Sequence, residues 1–242
     1  MASHKDCCKI NRRKLLGASA AMAAVAAVSP ARSASAAPAL TQERRDALTP
    51  DEIVAEMLAG NKRFTAGERR PRDFLAEQEA TASGQFPAAI ALSCVDSRAP
   101  IELICDLGIG ATFNARVAGN IANDDILGSM EFACALAGAK LVVVMGHTAC
   151  GAVKGAIDNA ELGNLTGLLA KIRPAVAATA YDGDKSSGNP DYVDAVARTN
   201  VGLTVKHIRE QSAVLRDLEQ KGAIKIIGSM YDLNTGKISL LA

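Results

Sequence analysis

KLVVVMGHTACG, residues 140–151, begins as an unbroken apolar run and ends in a histidine and a cysteine. A short run that is apolar on both alternating faces fits a strand buried on both sides, as in parallel sheets covered by helices. Three further runs, AAIALS (88–93), TFNARV (112–117) and AIKIIGSMYDL (223–233), also read as strands. The intervals between them can hold crossover helices, and DDILGSMEFACALAG (124–138) reads as one. The expected class is therefore α/β, with a mostly parallel central sheet of four parallel strands flanked by helices. YDLNTGKISLL (231–241) has the pattern of a hairpin turning at Asn234-Thr235-Gly236, which adds a C-terminal antiparallel strand.

Two helices frame these strands. LTPDEIVAEMLAGNKRFTAG (48–67) predicts an N-terminal helical arm. Thr49 is its N-cap, Pro50 its first position, and Glu52 closes a capping box. Ile53, Val54, Met57, Leu58 and Phe64 form its apolar stripe. Near the other end, YDGDKSSGNPDY (181–192) is a polar loop, after which Asn189-Pro190 opens a long amphipathic helix expected to end near Gly222.

The first residues follow different rules. NRRKLLGASAAMAAVAAVSPARSASAA (11–37) joins Arg12-Arg13 to a run of small apolar residues and a small-residue cut site. This predicts a twin-arginine signal peptide over 1–36, cleaved after Ala34-Ser35-Ala36, and a periplasmic or secreted protein. Leu15–Val28 is shorter than the roughly 20 residues a spanning helix needs, so no stable membrane insertion is expected after cleavage. The remaining 37–242 suits a single compact domain. The leader holds six basic residues and one acid, so the rest carries a net −4. That balance leaves no electrostatic footprint for nucleic acid.

In open parallel sheets, ligands bind outside the carboxyl ends of strands. Two predicted strands end there in metal-ligand chemistry: the first at Cys94 in SCVDSR (93–98), the third at His147 and Cys150 in GHTACG (146–151). Two thiolates and an imidazole suit zinc, and three protein ligands leave a fourth position open for catalysis. Taken singly, each cysteine reads as a buried small residue and the histidine as a satisfied core group. Their joint placement beside Asp96 and Arg98 favours the metal and sets aside a Cys94–Cys150 disulfide. Cys105 and Cys134 read as buried free thiols, and His207 as an ordinary helix histidine.

With CVDSR (94–98), HTAC (147–150) and the intervening FNARVAGNIANDDILGSMEFA (113–133), the chain resembles the β-class carbonic anhydrases from about Leu48 to its end. The resemblance implies reversible hydration of CO2 to bicarbonate and a proton, through hydroxide on one zinc ion per subunit held by Cys94, His147 and Cys150. It assigns Asp96 to orienting that hydroxide and Arg98 to holding Asp96 off the metal, Asp96 being a zinc ligand only in a closed state. It places Gln85, Phe113, Ala118 and the Gly151 amide around the substrate, and implies a homodimer or homotetramer. Two positions depart from relatives: Phe132 replaces a frequent Tyr, and Ala91 replaces the Trp that frames a regulatory bicarbonate pocket in one subgroup. Lacking that Trp, the site is expected to favour the open form near pH 8. Two other readings are a hydrolase of a related heterocumulene such as CS2, and a non-catalytic scaffold that binds zinc and bicarbonate.

Overall fold

The computed structural model of the protein describes residues 38–241, so the twin-arginine segment and the expected cut lie outside the described residues. The chain runs through helices α1 (Gln42–Ala47), α2 (Pro50–Ala66) and α3 (Phe74–Thr81) into strand β1 (Ala89–Ser93). It continues as α4 (Ile101–Ile104), β2 (Thr112–Arg116), α5 (Asp124–Glu131) and β3 (Leu141–His147). Helices α6 (Gly151–Ile157), α7 (Gly163–Ala170), α8 (Arg173–Ala178), α9 (Pro190–Gln211) and α10 (Ala213–Gln220) precede the final strands β4 (Lys225–Tyr231) and β5 (Ile238–Leu240). Among the described residues, no helix is long and apolar enough to cross a membrane.

The strands form one sheet in the order β2-β1-β3-β4-β5. The first four are parallel and β5 is antiparallel to β4, as the apolar runs and the hairpin predict. From β1 the chain moves outward to β2, then crosses back to place β3 on the other side of β1. A reversal of this kind opens a crevice at the strands' carboxyl ends. Here it lies between β1 and β3, just beyond Ser93 and its partner Met145.

Alternation divides the core. Ile90, Leu92, Val142 and Val144 face one side with Val193, Val196, Val201 and Ile208 of α9. Ala91, Leu141, Val143 and Met145 face the other with Ile53, Val54 and Met57 of α2. Every residue of β3 is buried, and each Val or Leu so covered contributes about 1.5–3 kcal/mol. The capping box of α2 forms as expected: the Glu52 amide donates to Thr49 Oγ1 at 3.2 Å and the Thr49 amide to Glu52 Oε2 at 2.8 Å.

Asn61 ties α2 to two distant segments. Its Nδ2 donates to the carbonyls of Ile104 and Gly236 at 2.9 and 2.8 Å, and its Oδ1 accepts from the Ile238 amide at 2.9 Å. Truncation would strand three backbone groups at a position only 5% exposed. Asn61→Ala is expected to destabilise the protein by about 3 kcal/mol, read by urea denaturation.

Two predicted helices are interrupted. The expected long helix from Asn189 toward Gly222 stops at Gln211, because Ser212 takes an extended conformation and caps α10 by accepting from the Leu215 amide at 3.1 Å. Its hydroxyl also donates to Glu131 Oε1 at 2.6 Å, so a tertiary contact fixes the break. The helix expected over 124–138 stays α-helical to Glu131 and widens into a π turn over Phe132–Leu136. Gly138 follows with φ 80°, where a Cβ would lie 2.5 Å from the Arg45 guanidinium. The hairpin turn is also wider than Asn234-Thr235-Gly236 alone: Asp232 Oδ1 accepts from the Asn234 and Thr235 amides.

Candidate metal centre

Cys94 follows the last residue of β1 and continues its alternation toward the α9 side, beside Leu92 and Ile90. His147 is the last residue of β3, and Cys150 is the N-cap of α6. The two residues between these ligands, Thr148 and Ala149, turn sharply, and Ala149 takes φ 54°. The crevice thus brings Cys94, His147 and Cys150 together, all buried, with their ligand atoms within 4.8 Å of one another. Ligands around a tetrahedral zinc stand about 3.5–3.8 Å apart, so the group needs only a slight contraction.

Their hydrogen bonding fits a cation. His147 Nδ1 lies 2.9 Å from the Thr148 carbonyl, which assigns the ring proton to Nδ1 and leaves Nε2 as a lone-pair donor. That Nε2 is buried and has no hydrogen-bond partner. A buried polar atom without a partner is costly, and a metal ion satisfies it. One of the two thiols is favoured as a thiolate. The neighbouring Cys150 thiol outweighs burial and holds the Cys94 thiol well below the usual range. Cys150 is pushed up by its proximity to Cys94, by burial and by the neighbouring charge. Burial favours neutral His147, but the negative field of Cys94 and the Thr148 carbonyl prevail and raise its pKa. The two sulfurs therefore share one proton at a place where a dication would replace it.

Asp96 and Arg98 border this group. Arg98 Nη2 donates to Asp96 Oδ2 at 2.7 Å, while Arg98 Nε and its backbone amide both donate to Oδ1 at 2.9 Å. The Arg98 hydrogen bond is the main reason the Asp96 carboxyl is held well below the usual range. Asp96 Oδ2 lies 3.8 Å from His147 Nε2, close enough to line the site while fully engaged by Arg98. Arg116, at the end of β2, fastens the same loop by donating to the Cys94 carbonyl at 2.9 Å and the Asp96 carbonyl at 2.5 Å.

The predicted substrate residues divide into two sets. Ala118 begins a 3-10 turn whose Gly119 amide donates to Cys94 Sγ at 3.4 Å, so it adjoins the cluster. Gly151 follows Cys150 directly at the start of α6. Gln85 and Phe113 lie elsewhere. Phe113 pairs in register with Ile90, four residues before Cys94, or about 13 Å along the sheet. Gln85 precedes β1 altogether and is exposed. Phe132, the departure from Tyr, packs edge-on against Phe113 with ring centroids 6.0 Å apart and stays 53% exposed.

Residues 89–238 match the family model described as "Carbonic anhydrase". The chain belongs to the β-class carbonic anhydrase family. It is 32% identical over 187 residues to carbonic anhydrase 2 of Mycobacterium tuberculosis, covering 75% of this chain and 87% of that one. A carbonic anhydrase of Pseudomonas aeruginosa is 32% identical over 167 residues, 66% of this chain and 76% of that protein. Among solved structures, a β-carbonic anhydrase of Aspergillus fumigatus superposes with TM-score 0.60 at 28% identity, covering 79% of this chain and 91% of that one. A tetrameric β-carbonic anhydrase of Sordaria macrospora shares the fold, with TM-score 0.60 at 23% identity over 79% of this chain and 95% of that one. β-Class carbonic anhydrases use zinc, and the Cys94-His147-Cys150 group fits that ion.

Cys105 and Cys134 stand apart from the cluster. Both are free and buried, and burial pushes each thiol up to about 12, as expected of packing residues. Sequence reasoning missed Arg116, Gly119, Asn200 and Asp194, which support the cluster. A buried Asn on the mostly apolar face of α9 was the available signal for Asn200.

Proposed function

We infer that the chain catalyses reversible hydration of CO2 to bicarbonate and a proton, with zinc held by Cys94, His147 and Cys150. The observation that carries this reading is the unpartnered, buried Nε2 of His147 beside two adjacent thiols and an Arg-held carboxylate. Zinc bound there supplies Lewis acidity that brings the pKa of a coordinated water to about 7. The chain's residues do the rest. Arg98 keeps Asp96 ionised and turned from the metal position, so the carboxylate serves as an acceptor at the edge of the site and not as a ligand. Ala118 supplies an apolar wall. The Gly151 amide, at the first turn of α6, has no intrahelical partner and can donate to a substrate oxygen. Nothing in the site favours CS2 hydrolysis or a non-catalytic scaffold. Stopped-flow CO2 hydration on the purified zinc protein tests the reading: turnover far above background supports it, and a folded, zinc-replete protein without turnover contradicts it.

The separation of Gln85 and Phe113 from the metal within one chain supports assembly. We place them in the site of a neighbouring subunit of a homodimer or homotetramer, where the exposed Gln85 amide meets substrate and Phe113 with Phe132 closes the pocket. A mixed oligomer makes this measurable. Combining Gln85→Ala subunits with Cys94→Ala subunits is expected to recover activity that neither homo-oligomer has. The first supplies an intact metal cluster and the second an intact Gln85. No recovery in isolated mixed oligomers would place Gln85 in its own subunit's site, or outside any site.

The leader implies a destination. The protein is proposed to fold and take up zinc in the cytoplasm and to cross as a folded domain through the twin-arginine route to the periplasm or beyond. That order protects Cys94 and Cys150 from oxidation before the metal is bound. Changing Arg12 and Arg13 together to Lys is expected to retain active enzyme in the cytoplasm, measured by cell fractionation.

A further inference from the structure

Helix α9 covers the sheet face on which Cys94 lies, and its buried residues are apolar except for Tyr192, Asn200 and Thr204. Asn200 is 3% exposed, so its amide must be satisfied inside the protein. It is satisfied by one contact: Nδ2 donates to the Gly119 carbonyl at 2.8 Å. Gly119 is itself unusual. Its φ is 69°, the next residue Asn120 has φ 44°, and a Cβ on Gly119 would lie 2.4 Å from Ile172 Cδ1. Two successive residues in the left-handed region persist only where the surroundings hold them. What this turn achieves is the placement of the Gly119 N–H, which donates to Cys94 Sγ.

The same helix reaches the other ligand-bearing loop. Asp194 Oδ1 accepts from the Ala149 amide at 3.0 Å. Ala149 has φ 54°, and this strained residue sets the angle between His147 and Cys150. One element thus holds both turns that would otherwise relax.

We propose that α9 is the clamp of the metal centre, with Asn200 and Asp194 as its positioning residues. Asn200 fixes the Gly119 amide on the Cys94 sulfur, and Asp194 fixes the turn that presents His147 and Cys150. Neither touches a ligand side chain directly. An N–H aimed at a thiolate sulfur stabilises its negative charge, so losing the Asn200 anchor frees the Gly119 peptide and leaves Cys94 less well held. Losing Asp194 lets Ala149 return to ordinary backbone angles and moves Cys150 relative to His147.

The test is zinc release from the purified holoenzyme into a chromophoric chelator, with thermal stability measured alongside. Asn200→Asp keeps the shape but replaces the donor by an acceptor, and Asp194→Ala removes the acceptor. Each is expected to release zinc about 10-fold faster or more. Asp194→Asn retains an oxygen acceptor and should release zinc at nearly the wild-type rate. Val205→Ala, a buried site on the same helix, should lower thermal stability without changing release. Should Asn200→Asp not fold, the Asp194→Ala and Asp194→Asn pair at its half-buried position still decides. Wild-type release rates in folded Asp194→Ala, or equal acceleration by Val205→Ala, would overturn the clamp. The inference rests on zinc at this site: wild-type protein that binds no zinc would overturn both readings, whereas unchanged release in the variants overturns the clamp alone.

Discussion

Cys94→Ala, His147→Ala and Cys150→Ala proteins are each expected to fold, to carry well under one zinc per subunit, and to lose CO2 hydration by about 10⁴-fold or more. The side chains are small and buried, and removing one leaves two protein ligands for an ion that needs three here. Cys105→Ala and Cys134→Ala serve as contrasts. Both thiols are equally hidden but lie outside the cluster, so these variants should keep zinc and most activity while losing some stability. Zinc content by elemental analysis beside stopped-flow rates separates the two groups. Stoichiometric zinc in any of the first three would show that the residue is not a ligand.

Arg98→Ala is expected to keep its zinc and still lose about 100-fold or more in activity. Arg98 touches no ligand, so the metal group survives its removal. What changes is Asp96, which loses all of its side-chain partners and becomes free to swing toward the metal position 3.8 Å from His147 Nε2. Protonation cannot account for the loss. Arg98 depresses the Asp96 pKa, and without it the value returns toward about 3.9, still far below neutrality. The sign for stability follows the same line. A depressed folded-state pKa contributes stability above the unfolded value, and that contribution is lost as pH falls through the folded value. Over pH 6–9 the pair is therefore constant, and the Arg98→Ala defect there reports geometry. Arg98→Lys keeps the charge but not the two-pronged contact and should fall between the two proteins. Near-normal turnover in zinc-replete Arg98→Ala would remove the orienting role of the pair.

Much of this architecture is legible in residue patterns because each pattern has one local cause. The apolar run of β3 has to be covered on both faces, and the Thr49-Pro50-Glu52 cap fixes where α2 starts. Cys94, His147 and Cys150 are legible because each sits just past an apolar run, where the sheet topology leaves a crevice. What escapes sequence reading is set by contacts between distant segments. Ser212 breaks a continuous amphipathic pattern because Glu131 and the Leu215 amide hold its hydroxyl. The π turn after Glu131 leads into Gly138, whose φ of 80° and close approach to Arg45, a distant residue, leave no room for a side chain. The positions of Gln85 and Phe113 are hidden for another reason. A motif names residues that act together but carries no record of which end of a strand each occupies. The register of β1 with β2 shows that Phe113 stands away from Cys94, and Gln85 lies before the start of β1, at the opposite end of that strand from Cys94.

Cys94, His147 and Cys150 are proposed to hold zinc while Arg98 keeps Asp96 away from it. A crystal structure of the zinc-loaded protein at pH 8 would show both contacts at once. The expected result is zinc on the two sulfurs and His147 Nε2, with a solvent oxygen in the fourth position and Asp96 still paired with Arg98. Asp96 bound to zinc at that pH, or zinc on any other set of side chains, would contradict it.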